Sequence, residues 1–248
     1  MNSPAVHIEN LRFQYPGNNF MLFNGLQLEI AAGSSFGLFG PNGAGKTTLM
    51  SLMTGIIPFQ SGTISLLGSP VTRNRKSISD HFGLVPQDFS FYGELSPLEN
   101  LEFFGAWSGL RKKEINLRSE ELLGILGLEE VKDKPVNRFS GGMKRRVNLA
   151  IGVIHHPPIL FLDEPTVGVD VQTRHAIIAY LKNLNHQGTT LVYTSHQLSE
   201  AEQLCDEVAL IDEGRIIARE RLSHLLSTHR QDGLEGLFLH LTGKAFRD

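Results

Sequence analysis

Between an apolar run, Phe36 to Phe39, and a helix-like run, Thr47 to Met53, lies Gly40-Pro41-Asn42-Gly43-Ala44-Gly45-Lys46-Thr47-Thr48. This stretch constrains the fold more than any other. Gly40 and Gly45 let the backbone turn sharply and approach a ligand without a Cβ in the way. A buried strand, a glycine turn and a helix in that order put free N–H groups and the positive end of a helix dipole around one anion. Lys46 is placed to reach the β- and γ-phosphates of a nucleotide, with Asn42, Gly43, Ala44, Gly45 and Thr48 forming the cradle. The Thr47 hydroxyl is placed for Mg²⁺. The pattern G-x-x-x-x-G-K-[ST] arises by chance on the order of once per hundred chains of this length. The strand before it and the helix after it make chance a poorer account still.

Bulk properties set the class. With 248 residues, 41% hydrophobic and 20% charged, the chain can bury a large α/β core. No apolar run reaches the roughly 18 residues of a membrane span, and residues 1–10 lack the basic and apolar regions of a secretory signal. A net charge of −3 carries no footprint for nucleic acid, so none is expected as a partner. The single cysteine, Cys205, excludes an internal disulfide and reads as a core thiol in a helix-like stretch.

Patterning predicts the layout. Residues 5–13 and 26–30 alternate apolar and polar side chains, as half-buried antiparallel strands do, with the turn chemistry of Pro16-Gly17-Asn18-Asn19 between them. Phe36 to Phe39, Phe82 to Pro86, Ile159 to Leu162 and Thr189 to Thr194 read as buried parallel strands. Helical segments between most of them imply a βαβ core with ligands at the strands' carboxyl ends. From about 88 to 138 the pattern is helical (Pro97 to Trp107, Lys113 to Leu126) without a strand. After Glu207, two short strands flank the turn Asp212-Glu213-Gly214-Arg215, and a helix-like tail, about 219–248, follows. The expected fold is α/β: a P-loop NTPase core of mostly parallel sheet flanked by helices, with an N-terminal antiparallel β subdomain and a helical insert.

Further segments refine the chemistry. The apolar strand Ile159-Leu160-Phe161-Leu162 ends in Asp163-Glu164. An Asp at such a strand end helps hold Mg²⁺ in phosphoryl-transfer sites, and the next carboxylate can polarise water, so Asp163 is assigned to the metal and Glu164 to the water. Phe139-Ser140-Gly141-Gly142-Met143-Lys144-Arg145-Arg146 reads as a Ser-capped helix start, with Ser140, Gly141 and Gly142 presenting a second anion-seeking terminus. One nucleotide needs one cradle, so two such termini suggest a nucleotide held between two copies. The pair His155-His156 before Pro157-Pro158 reads as a helix stop.

With these residues in view, the sequence resembles the ATP-binding cassette (ABC) ATPases over nearly its whole length, as a single domain spanning 1–248. The family signature LSGGQ is similar to Phe139-Ser140-Gly141-Gly142-Met143, with Met143 in place of glutamine. Gln87 stands where the family has its Q-loop glutamine, Val167-Gly168-Val169-Asp170 resembles the D-loop, His196 the switch histidine, and Tyr15 the aromatic that stacks on adenine. The resemblance implies ATP and Mg²⁺ sandwiched in a head-to-tail dimer, a homodimer being the simplest case. Within it Gln87 senses the γ-phosphate and metal, His196 contacts the γ-phosphate, and Asp170 belongs to the nucleotide interface. Glu200-Ala201-Glu202-Gln203-Leu204-Cys205-Asp206 and the C-terminal tail resemble the branch serving multidrug, lipid, polysaccharide and antibiotic exporters. That implies a separate integral-membrane permease subunit and a peripheral place on the cytoplasmic face of the cell membrane. The aromatics Phe89, Phe91 and Tyr92 form the expected docking surface. Phe103, Phe104 and Trp107, at helical spacing, fit either docking or the insert's own core. The competing reading, a soluble ABC ATPase acting on ribosomes or DNA, finds neither a second cassette nor a basic tail here, and a GTPase reading finds no Asn-Lys-x-Asp motif.

Overall fold

The computed structural model of the protein describes residues 3–72, 78–195 and 198–243. Strands β1 (Val6–Phe13), β2 (Phe23–Ile30), β4 (Ser61–Leu66) and β5 (Ser69–Pro70) form an antiparallel sheet in the order β2-β1-β4-β5. The second sheet has the order β10-β9-β3-β8-β7-β6, built from β3 (Ser35–Phe39), β6 (Phe82–Val85), β7 (Ile159–Asp163), β8 (Thr190–Thr194), β9 (Glu207–Asp212) and β10 (Arg215–Arg221). Its β9-β3-β8-β7-β6 portion is parallel, and only β10 runs antiparallel.

The continuous apolar runs follow from burial on both faces. Along β7, Ile159 and Phe161 enter the core shared with the antiparallel sheet and α1 (Lys46–Met53), while Leu160 and Leu162 enter the core on the opposite face. β8 divides in the same way, with Val192 on the first side and Leu191 and Tyr193 on the second. The second core also takes in α2 (Pro97–Trp107), α3 (Lys112–Ile125), α4 (Gly141–Val153), α5 (Val171–His186), α7 (Leu222–His229) and α8 (Leu234–Thr242). Helix α2 starts at Pro97 because Ser96 and Glu99 form a reciprocal capping box, the serine hydroxyl accepting from Glu99 N–H and the glutamate from Ser96 N–H.

Three readings of the chain change. The hairpin β4–β5 had no counterpart in the pattern; Ser61-Gly62-Thr63-Ile64-Ser65-Leu66 buries only Ile64 and Leu66 fully, too few for an alternation to stand out. The tail expected from about 219 begins as strand, since β10 runs to Arg221, and then breaks into two helices at Arg230, where φ is +52°. Helix α6 (Leu198–Leu204) ends just before Cys205. That thiol is buried, and burial pushes its pKa up, which leaves it unreactive as a core thiol should be.

Candidate functional site: a nucleotide cleft

An open cleft of about 570 Å³ lies where the antiparallel sheet meets the carboxyl ends of the parallel strands. Tyr15, Asn42, Gly43, Gly45, Lys46, Thr47, Thr48, Gln87 and Glu164 line it together, drawn from four separate stretches of chain. Asn18, Phe20, Leu22 and Val167 complete the wall. The volume suits a nucleotide.

The glycine loop joins β3 to α1 by two steric devices. Gly45 adopts φ +106°, and a Cβ there would lie 2.9 Å from the Phe23 ring. At Gly40 a Cβ would lie 2.0 Å from the carbonyl oxygen of Ile211. Only glycine lets this loop sit so tightly between β2 and β9. Helix α1 starts at Lys46 with no side-chain cap, so its first N–H groups, which have no intrahelical acceptors, are directed at the cleft. Ala44 is buried beneath the loop and gives its N–H to Pro41 O at 3.1 Å. The Lys46 ammonium donates to Gly40 O at 2.7 Å and Pro41 O at 3.1 Å. Burial lowers its pKa, and the charges of Glu164 and Asp163 oppose that effect.

At the end of β7 the two carboxylates part company. Asp163 is 5% exposed, accepts from the Thr194 hydroxyl at 2.6 Å and does not line the cleft. Glu164 does. Its φ is +50°, a left-handed conformation uncommon for a non-glycine residue. Its N–H is pinned by Thr194 O at 3.1 Å and approached by Thr194 Oγ1 at 3.3 Å. On the other wall, the Tyr15 hydroxyl bonds Thr48 Oγ1 at 2.8 Å and its ring stands edge-on to Phe13, 4.8 Å between centroids.

The remaining predicted residues lie elsewhere. Ser140 caps α4, accepting from Met143 N–H at 3.3 Å, and neither it nor Gly141 nor Gly142 lines the cleft. Asp170 caps α5, accepting from Thr173 N–H at 2.9 Å and from the Thr173 hydroxyl at 2.7 Å. These bonds hold its carboxyl below the usual range. A Cβ on Gly142 would lie 3.5 Å from Asp170 Oδ2, so the α4 and α5 termini abut on one surface. His196 falls outside the described residues.

Two functional side chains went unread in the sequence. Arg145, 4% exposed on α4, donates to Pro86 O at 3.2 Å and Gln87 O at 2.9 Å, with its guanidinium 4.9 Å from the Phe89 ring centroid. Burial lowers its pKa while Glu164, Asp88 and Asp163 raise it. Asn148, one turn on, donates to Pro86 O at 3.1 Å and accepts from Ser90 N–H and hydroxyl at 3.1 and 3.0 Å. The helix that begins at Ser140 thus clamps the loop carrying Gln87. The spacing of Arg145 and Asn148 puts both on one face of α4, the single hint the sequence held.

Residues 23–167, more than half of the chain, match the family model described as ABC transporter. The chain belongs to the ABC transporter family. Among its relatives, the linearmycin resistance ATP-binding protein LnrL of Bacillus subtilis (strain 168) is 42% identical over 214 residues, covering 86% of this chain and 68% of LnrL. The Nod factor export ATP-binding protein I of Ralstonia nicotianae is 39% identical over 228 residues, covering 92% and 70%. A solved ATP-binding subunit of an ABC transporter superposes with a TM-score of 0.88 at 26% identity, covering 96% of this chain and 99% of that one. The ATP-binding cassette MJ0796, solved as a post-hydrolysis dimer with ADP and Pi, gives 0.80 at 25% identity over 88% and 98%. This ABC protein is an ATP-binding ATPase subunit with the P-loop NTPase fold, and none of these relatives points to ribosomes or DNA.

Proposed function

We propose that this ABC ATPase drives an exporter through a separate integral-membrane permease, working as a head-to-tail homodimer on the cytoplasmic face of the membrane. The observation that carries the reading is a division of labour: the cleft gathers the P-loop, Gln87, Glu164 and Tyr15, while the Ser140 terminus of α4 lies outside it. A second copy supplying Ser140, Gly141, Gly142 and Asp170 completes each site. The dimeric relative solved with ADP and Pi supports this assembly. The named exporters among the relatives support the direction of transport. No helix among the described residues is long and apolar enough to cross a membrane.

Each residue has a role. Tyr15 stacks on adenine. The N–H groups of Asn42, Gly43, Gly45, Lys46, Thr47 and Thr48, with the Lys46 ammonium, hold the β- and γ-phosphates, and Ala44 shapes the loop beneath them. Thr47, Gln87 and Asp163 offer hard oxygen donors, the set that suits Mg²⁺ bound chiefly through substrate phosphates. When bound, the ion offsets phosphate charge. Glu164 orients water for in-line attack, and His196 contacts the γ-phosphate. Closing the dimer excludes solvent, so that Lys46 and the aligned N–H groups act in a lower effective dielectric. Hydrolysis removes the phosphate that bridges the copies, and the open–closed equilibrium shifts. The chain acts as one domain, 1–248, with a helical subdomain at about 88–138 and a C-terminal tail at about 219–248.

The helical subdomain offers the docking face. Phe89, Tyr92, Phe103 and Trp107 are exposed, Trp107 at 81%, whereas Phe91 and Phe104 pack against the core. Tyr92–Phe103 and Phe103–Trp107 ring contacts at 5.0 and 6.5 Å join three of them into one exposed aromatic patch. The test is isolation of the tagged chain from native membranes in mild detergent, with mass spectrometry of its partners. A stoichiometric multi-span protein supports the exporter subunit; ribosomal or DNA-bound partners alone overturn it.

A further inference from the structure

Glu200 is 3% exposed on α6, and nothing in the nucleotide cleft uses it. A carboxylate at that depth requires compensation, and it has two hydroxyl donors and one ion-pair partner. Its Oε2 accepts from the Tyr193 hydroxyl of β8 at 2.6 Å and from the Thr166 hydroxyl at 2.5 Å, and its Oε1 lies 2.9 Å from Arg174 Nε of α5. Thr166 is itself buried, its Oγ1 lying 3.3 Å from the Tyr193 hydroxyl oxygen. The two ends of one short segment are thereby tied to one side chain. Thr166 opens the 166–170 stretch, two residues after Glu164. Arg174 stands on the first turn of the helix that Asp170 caps.

The segment before it is tied down as well. Thr194 holds the Asp163 carboxylate and the Glu164 N–H. Pro165 fixes its own φ, and Val167 N–H closes a turn onto Glu164 O at 3.3 Å. The Thr166 anchor is supplied from α6 by a charged group, Glu200. Glu164, at φ +50° and directly before a proline, needs a surrounding structure that over-determines it.

We propose that Glu200 is a positioning residue for ATP hydrolysis: through Thr166 and Arg174 it holds the 164–170 loop, and so aims Glu164 at water and sets Asp170 against the Ser140 helix. The inference rests on the role given to Glu164. Other features of the molecule carry less. The second cleft, around Arg118 and His156, is bordered by the carboxyl ends of α4 and α5, whose carbonyls disfavour an anion, and there Arg118 already serves Glu121 at 2.7 Å.

The test uses the full chain with Mg-ATP. Thr166→Val removes the hydroxyl and keeps the shape, Thr166→Ser keeps the hydroxyl, and Glu200→Gln keeps the volume. In Thr166→Val and Glu200→Gln, kcat is expected to fall about tenfold or more, as a misplaced catalytic group would give, with the KM for ATP within about twofold. Thr166→Ser should restore most of the loss. The double variant should be no slower than the slower single one, because both cut the same tie. Hydrogen exchange should quicken at the amides of 164–170 and not across the other strands, a pattern that general destabilisation does not produce. Unchanged kcat in both variants overturns the inference and leaves the role of Glu164, which Glu164→Gln decides separately. So does a loss in which KM and exchange rise throughout the protein together.

Discussion

Arg145→Met replaces a buried clamp on the Gln87 loop with an apolar side chain of similar length. The wild-type guanidinium makes two hydrogen bonds to carbonyls and one ring contact. Hydrogen bonds from a charged donor contribute about 1.5–3 kcal/mol each, and a desolvated cation–π contact about 1–2 kcal/mol. Two effects reduce the loss. The substitution relieves the cost of burying a charge, a cost visible in the lowered pKa of Arg145, and Pro86 O keeps its bond from Asn148. Gln87 O has no such reserve. A net destabilisation of about 2–3 kcal/mol is expected, and at about 2–4 °C per kcal/mol for a chain of this size the melting temperature should fall by about 4–12 °C. Because the P-loop rather than Arg145 holds the phosphates, the KM for ATP should stay close to wild type while kcat falls. Thermal unfolding by circular dichroism and a steady-state phosphate-release assay read both. A melting temperature within about 1 °C of wild type, together with unaltered kcat, would refute the clamp.

Three further outcomes are expected. Glu164→Gln should lower kcat by about 10²-fold or more while still binding Mg-ATP, and should accumulate an ATP-dependent dimer on size-exclusion chromatography; wild-type turnover would remove the role assigned to Glu164. Tyr92→Ala combined with Trp107→Ala should abolish transport in reconstituted vesicles and spare the ATPase activity of the isolated chain, and transport at the wild-type rate would remove the docking face. Burial lowers the pKa of His155 below its ordinary value, against the opposing bond to Phe82 O and the charge of Asp80, so the unfolded chain binds this proton more readily. Stability should therefore be complete above about pH 6.5 and decline as pH falls from there toward the folded-state value, levelling below it. His155→Gln should flatten that decline in urea midpoints, and an identical pH slope in the variant would sink the assignment.

The nucleotide loop was legible because its function depends on consecutive backbone groups. Glycines at 40 and 45, a lysine and a threonine specify a cradle wherever a strand leads in and a helix leads out, and both flanking elements were visible as apolar runs. The strand ending in Asp163-Glu164 was legible for the same reason: burial on both faces leaves an uninterrupted apolar signal that stops at the carboxylates. The helix start at Ser140 came through because capping is a bond between residues three apart. The hairpin β4–β5 and the break at Arg230 did not: the first buries only Ile64 and Leu66 fully along β4, and the second places a left-handed turn on an arginine rather than on a glycine.

The sequence by itself determined which chemical groups this protein has for holding a nucleotide and in what order they occur, because cradle, cap and buried strand are all local in the chain. The tertiary structure alone decided which of those groups share a cleft. It brought Tyr15, Lys46, Gln87 and Glu164 into one cleft and left Ser140 and Asp170 on a separate surface. It also paired Arg145 with Gln87 O across 58 residues of chain and Glu200 with Thr166 across 34. Such ties carry no pattern along a sequence: a buried charge selects its partners by where folding places their donors and acceptors, and packing settles that only when both cores close around the sheet.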